Sequence, residues 1–234
     1  ALAAAKLAEE QVMHDDKLGA LHGIPVPIKD LNRTAGIRTT RGSLIFRDDV
    51  PDTDDLVVAR IRAAGAIIIG KTNTPEFGHR GTTENLLGEP CRNPWDTTRT
   101  PGGSSGGAAV AVASGLSPIA QGSDGGGSIR IPAGFCGVYG LKPTRGRVPG
   151  SYSGPGGWNV FGHTGPLSRT VHDAAFLLDV MAGPNPDNPM SILDAPPDFQ
   201  AALNGGVKGL RVALVPSLGG MPVEGEVQSA VEAS

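Results

Sequence analysis

Between Ser105 and Ser114 the chain reads Gly-Gly-Ala-Ala-Val-Ala-Val-Ala, with no side chain larger than valine. The run predicts a helix stopped by Gly115, and a helix this thin can lie almost backbone to backbone against its neighbours. The segments around it alternate in type. Residues 1–16 are alanine-rich, carry Lys6, Glu9 and Glu10, and favour helix. Gly23 to Ile28 is an apolar run broken by Pro25 and Pro27, which suits an extended segment near an edge or a site. Asp52 is placed to cap a helix, with Asp55 three residues on and Leu56, Val57, Ile61 and Ala64 repeating at helical spacing. Gly65 ends that helix, and Ala66–Gly70 reads as a buried strand. Thr170 with Asp173 caps a further helix carrying Val171, Ala174, Ala175 and Leu178 on one face. Gly209 to Val215 reads as a strand and Val223 onward as the start of a helix. Helices alternating with short apolar strands predict an α/β layered architecture, and with no repeat or linker one domain is expected.

The bulk properties exclude several classes. The chain of 234 residues contains 35 glycines and 20 prolines, but these sit between well-formed apolar runs such as Ala66-Ile67-Ile68-Ile69, which argues for a loop-rich enzyme over disorder. Net charge is −3 and only 18% of residues are charged, unlike a nucleic-acid binder. The two cysteines, Cys91 and Cys136, make no disulfide framework, and no Cys/His spacing suggests zinc or another metal. The first residues lack a cationic start followed by an apolar core, and no apolar run approaches the ~18–20 residues that span a bilayer. The expectations are therefore a cytoplasmic protein without metal, cofactor, membrane or nucleic-acid partner.

Three glycine-rich signals compete for the chemistry. Gly65-Ala66-Ile67-Ile68-Ile69-Gly70-Lys71-Thr72 satisfies GxxxxGK[ST], yet its intervening residues want to be a strand rather than a turn around phosphates. Gly102-Gly103-Ser104-Ser105-Gly106 fits GxSxG, the elbow of α/β-hydrolases, but polar residues precede it where a strand should be. That scheme would also need a histidine, and only His163 and His172 lie downstream. In Gly122-Ser123-Asp124-Gly125-Gly126-Gly127-Ser128, three glycines before a serine offer successive N–H groups around a concave turn, a nest suited to an oxyanion. Taken alone, that nest reads equally as a plain glycine turn.

Three blocks together resemble the amidase signature family: Gly23-Ile24-Pro25-Val26-Pro27-Ile28-Lys29-Asp30, Pro101-Gly102-Gly103-Ser104-Ser105-Gly106-Gly107, and Asp124-Gly125-Gly126-Gly127-Ser128-Ile129-Arg130. Lys71-Thr72-Asn73, Cys136 to Thr144 and Gly165 to Thr170 are also similar to it, so the likeness covers nearly the whole chain. The resemblance implies the amidase signature fold, a mixed central β-sheet flanked by helices on both faces. It also implies a Ser–cis-Ser–Lys triad for hydrolysing carboxamides: Ser128 as nucleophile, Ser104 after a cis peptide bond as relay, and Lys29 as base. The oxyanion would rest on N–H groups around Gly125, Gly126, Gly127 and Ser128, with Ser105, Asp124 and Arg130 behind them fixing the loop. A lysine serves as base only when neutral, which demands burial and few acidic neighbours. Asp30 would oppose this if it faced Lys29, but neighbours on an extended segment point to opposite faces.

The family domain is about twice this length, so residues 1–234 are expected to be a partial domain, lacking upstream helices and the C-terminal half. Two branches remain. The A subunit of a tRNA-dependent amidotransferase typically has Gln where this chain has Ile131, and Met-Asp-Glu-Phe where it has Thr74-Pro75-Glu76-Phe77. Both differences favour a stand-alone bacterial amidase acting on a small-molecule amide, and the Asp-Gly-Gly-Gly-Ser variant resembles enzymes for small or nylon-type amides. A homodimer, a non-catalytic fragment and a partner-dependent subunit stay open. Gly150–Phe161, with Tyr152, Trp158 and Phe161, is expected to contribute to the substrate pocket.

Overall fold

The apolar stretches become the five strands of one mixed sheet in a computed structural model, which describes residues 1–150, 161–215 and 219–234. β1 (Pro25–Lys29) lies between β2 (Ile67–Thr72) and β3 (Ile119–Asp124) and runs parallel to both. β4 (Tyr139–Gly140) and β3 each pair antiparallel with β5 (His163–Ser168), so the order is β2-β1-β3-β5-β4. Ile28 stands opposite Gln121, which brings Lys29 and the Ser123–Asp124 step to the same edge, where the parallel strands present their carboxyl ends. That edge is where open α/β sheets carry their sites.

Helices cover both faces, as the resemblance implies. One core joins Val26 and Ile28 of β1 to Val57, Val58 and Ile61 of α2 (Leu56–Ala63) and to Leu177, Leu178 and Met181 of α5 (Val171–Met181). The other gathers Ala108, Ala109 and Val112 of α3 (Gly106–Ala113) and Ala133 and Cys136 of α4 (Arg130–Cys136) around Ala120 and Leu167. Ile119 belongs to the first core and Ala120 to the second, because successive strand residues point to opposite faces. Each fully buried large aliphatic side chain contributes roughly 1.5–3 kcal/mol. The small-residue helix packs as closely as its sequence suggests. A Cβ on Gly107 would lie 2.4 Å from the Asn73 nitrogen, and one on Gly103, just before the helix, 2.3 Å from the Thr82 carbonyl oxygen.

α1 (Leu2–Met13) buries only Ala8. Thr170 caps α5 through a bond from the Asp173 nitrogen, 3.1 Å. Two local expectations change. Asp55, not Asp52, is the residue before α2, and its carboxylate leaves the helix end to bind Asn32 Nδ2, the Arg33 nitrogen and Arg33 Nε at 3.0–3.1 Å. It tethers the loop after β1 instead of capping. Gly209–Val215 forms no strand. Every residue there is exposed, and a strand without a partner cannot complete its ladder.

Residues Ala1–Leu203, including α6 (Phe199–Ala202), form one compact unit; Asn204–Ser234, with α7 (Gly225–Glu232), forms a second without buried residues among those described. No described helix is long and apolar enough to cross a membrane.

Candidate active site

Val26 and Ile28 face the α2/α5 core, so Lys29 turns to the opposite side of the sheet, where α3 begins. Its side chain is 0% exposed. Nζ lies 2.8 Å from Ser104 Oγ, 3.0 Å from Ser123 Oγ and 3.3 Å from the Ser123 carbonyl oxygen. Burial lowers its pKa to about 7, against the opposing pull of the Asp124 charge. Asp30 does face away: it accepts from the Thr40 nitrogen at 3.1 and 3.2 Å and from the Thr40 hydroxyl, on the side where Lys71 lies.

Ser104 follows a cis peptide bond from Gly103 and is itself buried. Ser105 ties two segments together. Its nitrogen donates to the Ser128 carbonyl at 3.0 Å, while its hydroxyl donates to the Ser123 carbonyl at 3.1 Å and accepts from the Ser123 nitrogen at 3.2 Å. The end of β3, the start of α3 and the glycine turn are thus held as one piece.

Asp124 organises that turn from within. Gly127 N–H donates to Oδ1 at 2.7 Å and Ile129 N–H to Oδ2 at 3.1 Å, while Arg130 adds Nε and Nη2, each at 3.0 Å. Burial alone would push the carboxyl up, but these hydrogen bonds and the Arg130 charge outweigh it and hold the pKa at about 2. The Gly127 amide, one of four expected around an oxyanion, is therefore engaged by Asp124. The amides of Gly125, Gly126 and Ser128 and the Ser128 hydroxyl have no hydrogen-bond partner among the described residues. A near-neutral amine touching a serine hydroxyl, beside a turn with unpaired amides, can move a proton and hold an anion.

The competing signals fall elsewhere. Gly70, Lys71 and Thr72 are strand, not a phosphate turn, and Lys71 Nζ donates to the Asn32 carbonyl and to Thr34 Oγ1 (2.7 Å) and Thr39 Oγ1 (3.1 Å). His172 lies exposed in the first turn of α5. His163, on β5, places Nδ1 3.1 Å from the Asp124 carbonyl oxygen. Of the expected pocket segment, Gly150 and Phe161 are exposed, and Tyr152 and Trp158 lie outside the described residues.

Residues 1–234 match the family model Amidase along their whole length. The chain belongs to the amidase family. Among its amidase relatives, an acylamidase of Rhodococcus erythropolis is 48% identical over 224 residues, covering 96% of this chain and 46% of that protein. The A subunit of the glutamyl-tRNA(Gln) amidotransferase of Carboxydothermus hydrogenoformans is 47% identical over 210 residues, 90% of this chain and 43% of that one. The crystal structure of a bacterial aryl acylamidase of the amidase signature family superposes with a TM-score of 0.91 at 36% identity, covering 99% of this chain and 48% of its own. The chain thus spans less than half the length of each of these relatives.

Two residues of this candidate site carry no motif of their own in the sequence. Gln121 Oε1 accepts from the Lys29 nitrogen at 3.0 Å, and the Ser123 hydroxyl reaches Lys29 Nζ. Gln121 inside the otherwise small and apolar run Ile119–Gly122, and Ser123 directly after it and before the glycine nest, are the available signal.

Proposed function

We propose that the protein hydrolyses carboxamides through an acyl-enzyme on Ser128, with Ser104 as proton relay and Lys29 as general base. The observation that carries this is the 2.8 Å contact between Lys29 Nζ and Ser104 Oγ in a site buried enough to bring the amine to about 7. At neutral pH a substantial fraction of such an amine has a free electron pair, as a base needs. As Ser128 attacks the amide carbonyl, its O–H bond breaks and its proton goes to the Ser104 oxygen. The Ser104 proton passes to Lys29 Nζ. The tetrahedral oxyanion rests on the amides of Gly125, Gly126 and Ser128, while Gly127 N–H, bound to Asp124, keeps the turn in shape. The return path, Lys29 to Ser104 to the leaving nitrogen, lets the C–N bond break and frees the amine. Water then hydrolyses the acyl ester and restores Ser128.

A fluorophosphonate probe tests the roles. Labelling of Ser128 is expected in the protein, lost in Ser128→Ala and slowed at least ~100-fold in Lys29→Ala. Labelling of Lys29→Ala at the parental rate would refute the base assignment.

A second reading, as the A component of a tRNA-dependent amidotransferase, draws support from the 47% identity to such a protein, nearly the same as to the acylamidase. Ile131 and Thr74-Pro75-Glu76-Phe77 favour the stand-alone enzyme. Turnover of simple amides or anilides without a partner protein supports that branch; glutamine hydrolysis only with added partner proteins supports the other.

A further inference from the structure

A neutral primary amine has two N–H donors and one electron pair, and the surroundings of Lys29 Nζ use all three. The Ser123 carbonyl, at 3.3 Å, can only accept, so it takes one N–H. For the electron pair to face the Ser104 hydroxyl at 2.8 Å, the second N–H must go to the remaining neighbour, Ser123 Oγ at 3.0 Å. Without that acceptor the amine can rotate and direct an N–H at Ser104, which leaves no electron pair to receive the relay's proton. Once protonated, the ammonium finds an acceptor for each of its three N–H groups in the same three oxygens. Ser123 is able to act this way because its own backbone is held at both ends. Its nitrogen and carbonyl both bind Ser105 Oγ, and across the sheet it is paired with Thr164.

We propose that Ser123 is a positioning residue for the reaction, its hydroxyl and carbonyl together orienting the electron pair of Lys29 toward Ser104. This rests on the reading of Lys29 as base. The charged groups around the amine are Asp124 of β3 and, bound to Asp124, Arg130 of α4; His163 of β5 sits on the Asp124 carbonyl. Asp30 and Lys71 lie on the other side of the sheet.

The test compares Ser123→Thr, which keeps a hydroxyl, with Ser123→Val, which has the shape of that threonine without the hydroxyl, and with the smaller Ser123→Ala. The rate of fluorophosphonate labelling at Ser128 is followed across pH, with Lys29→Ala measured alongside. Ser123→Thr is expected within about threefold of the parent. Ser123→Val and Ser123→Ala are expected to have a plateau about 10- to 100-fold lower, with the acid midpoint displaced to lower pH because the ammonium loses an acceptor. A residue that only supported the fold would not displace the midpoint. Val and Ala variants with parental plateau and midpoint, beside a slow Lys29→Ala, would overturn the role of Ser123 and leave the base reading standing. Thr as slow as Val would overturn it too, since shape and not the hydroxyl would then matter. A fast Lys29→Ala would remove the base and this inference together.

Discussion

Lys29 and Asp124 show how burial acts in opposite senses on a base and an acid. Both are withdrawn from water. Lys29 is met by neutral oxygens and one carboxylate, so desolvation prevails and the amine falls to about 7. Asp124 is met by backbone N–H groups and the Arg130 guanidinium, so hydrogen bonding prevails and the carboxyl falls to about 2. The pair stays chemically distinct across the neutral range, one group titrating there and the other ionised throughout. The labelling rate at Ser128 is therefore expected to rise with pH through a midpoint of about 7 as Lys29 loses its proton. A profile flat from about pH 5 to 8 would count against a titrating lysine. Lys29, Ser104 and Ser128 can be singled out as candidates in the sequence because each stands in a long, ordered block. Ser123 is not, since a serine on a strand looks alike whether it meets solvent or an amine.

At the scale of elements, proximity is set by the absence of side chains. α3 approaches the segment after β2 so closely that a Cβ at Gly107 would lie 2.4 Å from a backbone nitrogen that cannot move without disturbing Asn73. Gly107→Val is accordingly expected to destabilise the fold by ~2–3 kcal/mol or more, read as a lower midpoint in urea unfolding. An unchanged midpoint would mean that α3 sits less tightly than described. The small-residue pattern announces this helix and its close approach from the sequence alone. The start of α2 is harder to read, because the sequence shows three nearby aspartates, Asp52, Asp54 and Asp55, and does not show that Asp55 is drawn off by Asn32 and Arg33. Capping depends on where a carboxylate can reach, and the competitor here lies 22 residues away in the chain. The strand expected at Gly209–Val215 fails for a related reason: its apolar residues describe what the segment could pair with, and it takes no part in the described sheet.

For the whole molecule, a lysine titrating near 7 is a cost to folding. The unfolded chain holds the proton up to about 10.5, the native chain only up to about 7. Between these values the unfolded state binds more protons, so stability rises with pH across that window. Below about pH 7 the full penalty applies, of order ~4–5 kcal/mol for a shift of this size, and above 10.5 it vanishes. Lys29→Met, of similar volume and without charge, is expected to raise stability at about pH 6 by ~2–4 kcal/mol, a gain that shrinks as pH approaches ~10. Thermal or urea unfolding at the two pH values checks this; a variant less stable than the parent at the lower pH would show that the lost hydrogen bonds outweigh the proton. The layered α/β order is readable from the alternation of patterns. The mixed strand directions come only as an implication of the family resemblance, because hydrophobic spacing carries no sign of direction.

The contacts of Lys29 Nζ join positions 75 and 94 residues apart along the chain. No short stretch contains them, so they require the end of β1, the end of β3 and the segment before α3 to have come together. Until then the amine is an ordinary solvated lysine, protonated at neutral pH, and Ser128 is an ordinary alcohol. On the proposed mechanism, reactivity would be withheld from any form of the chain in which these contacts have not yet met, and covalent labelling of Ser128 is then expected to disappear on urea unfolding and to double as an assay for correct folding.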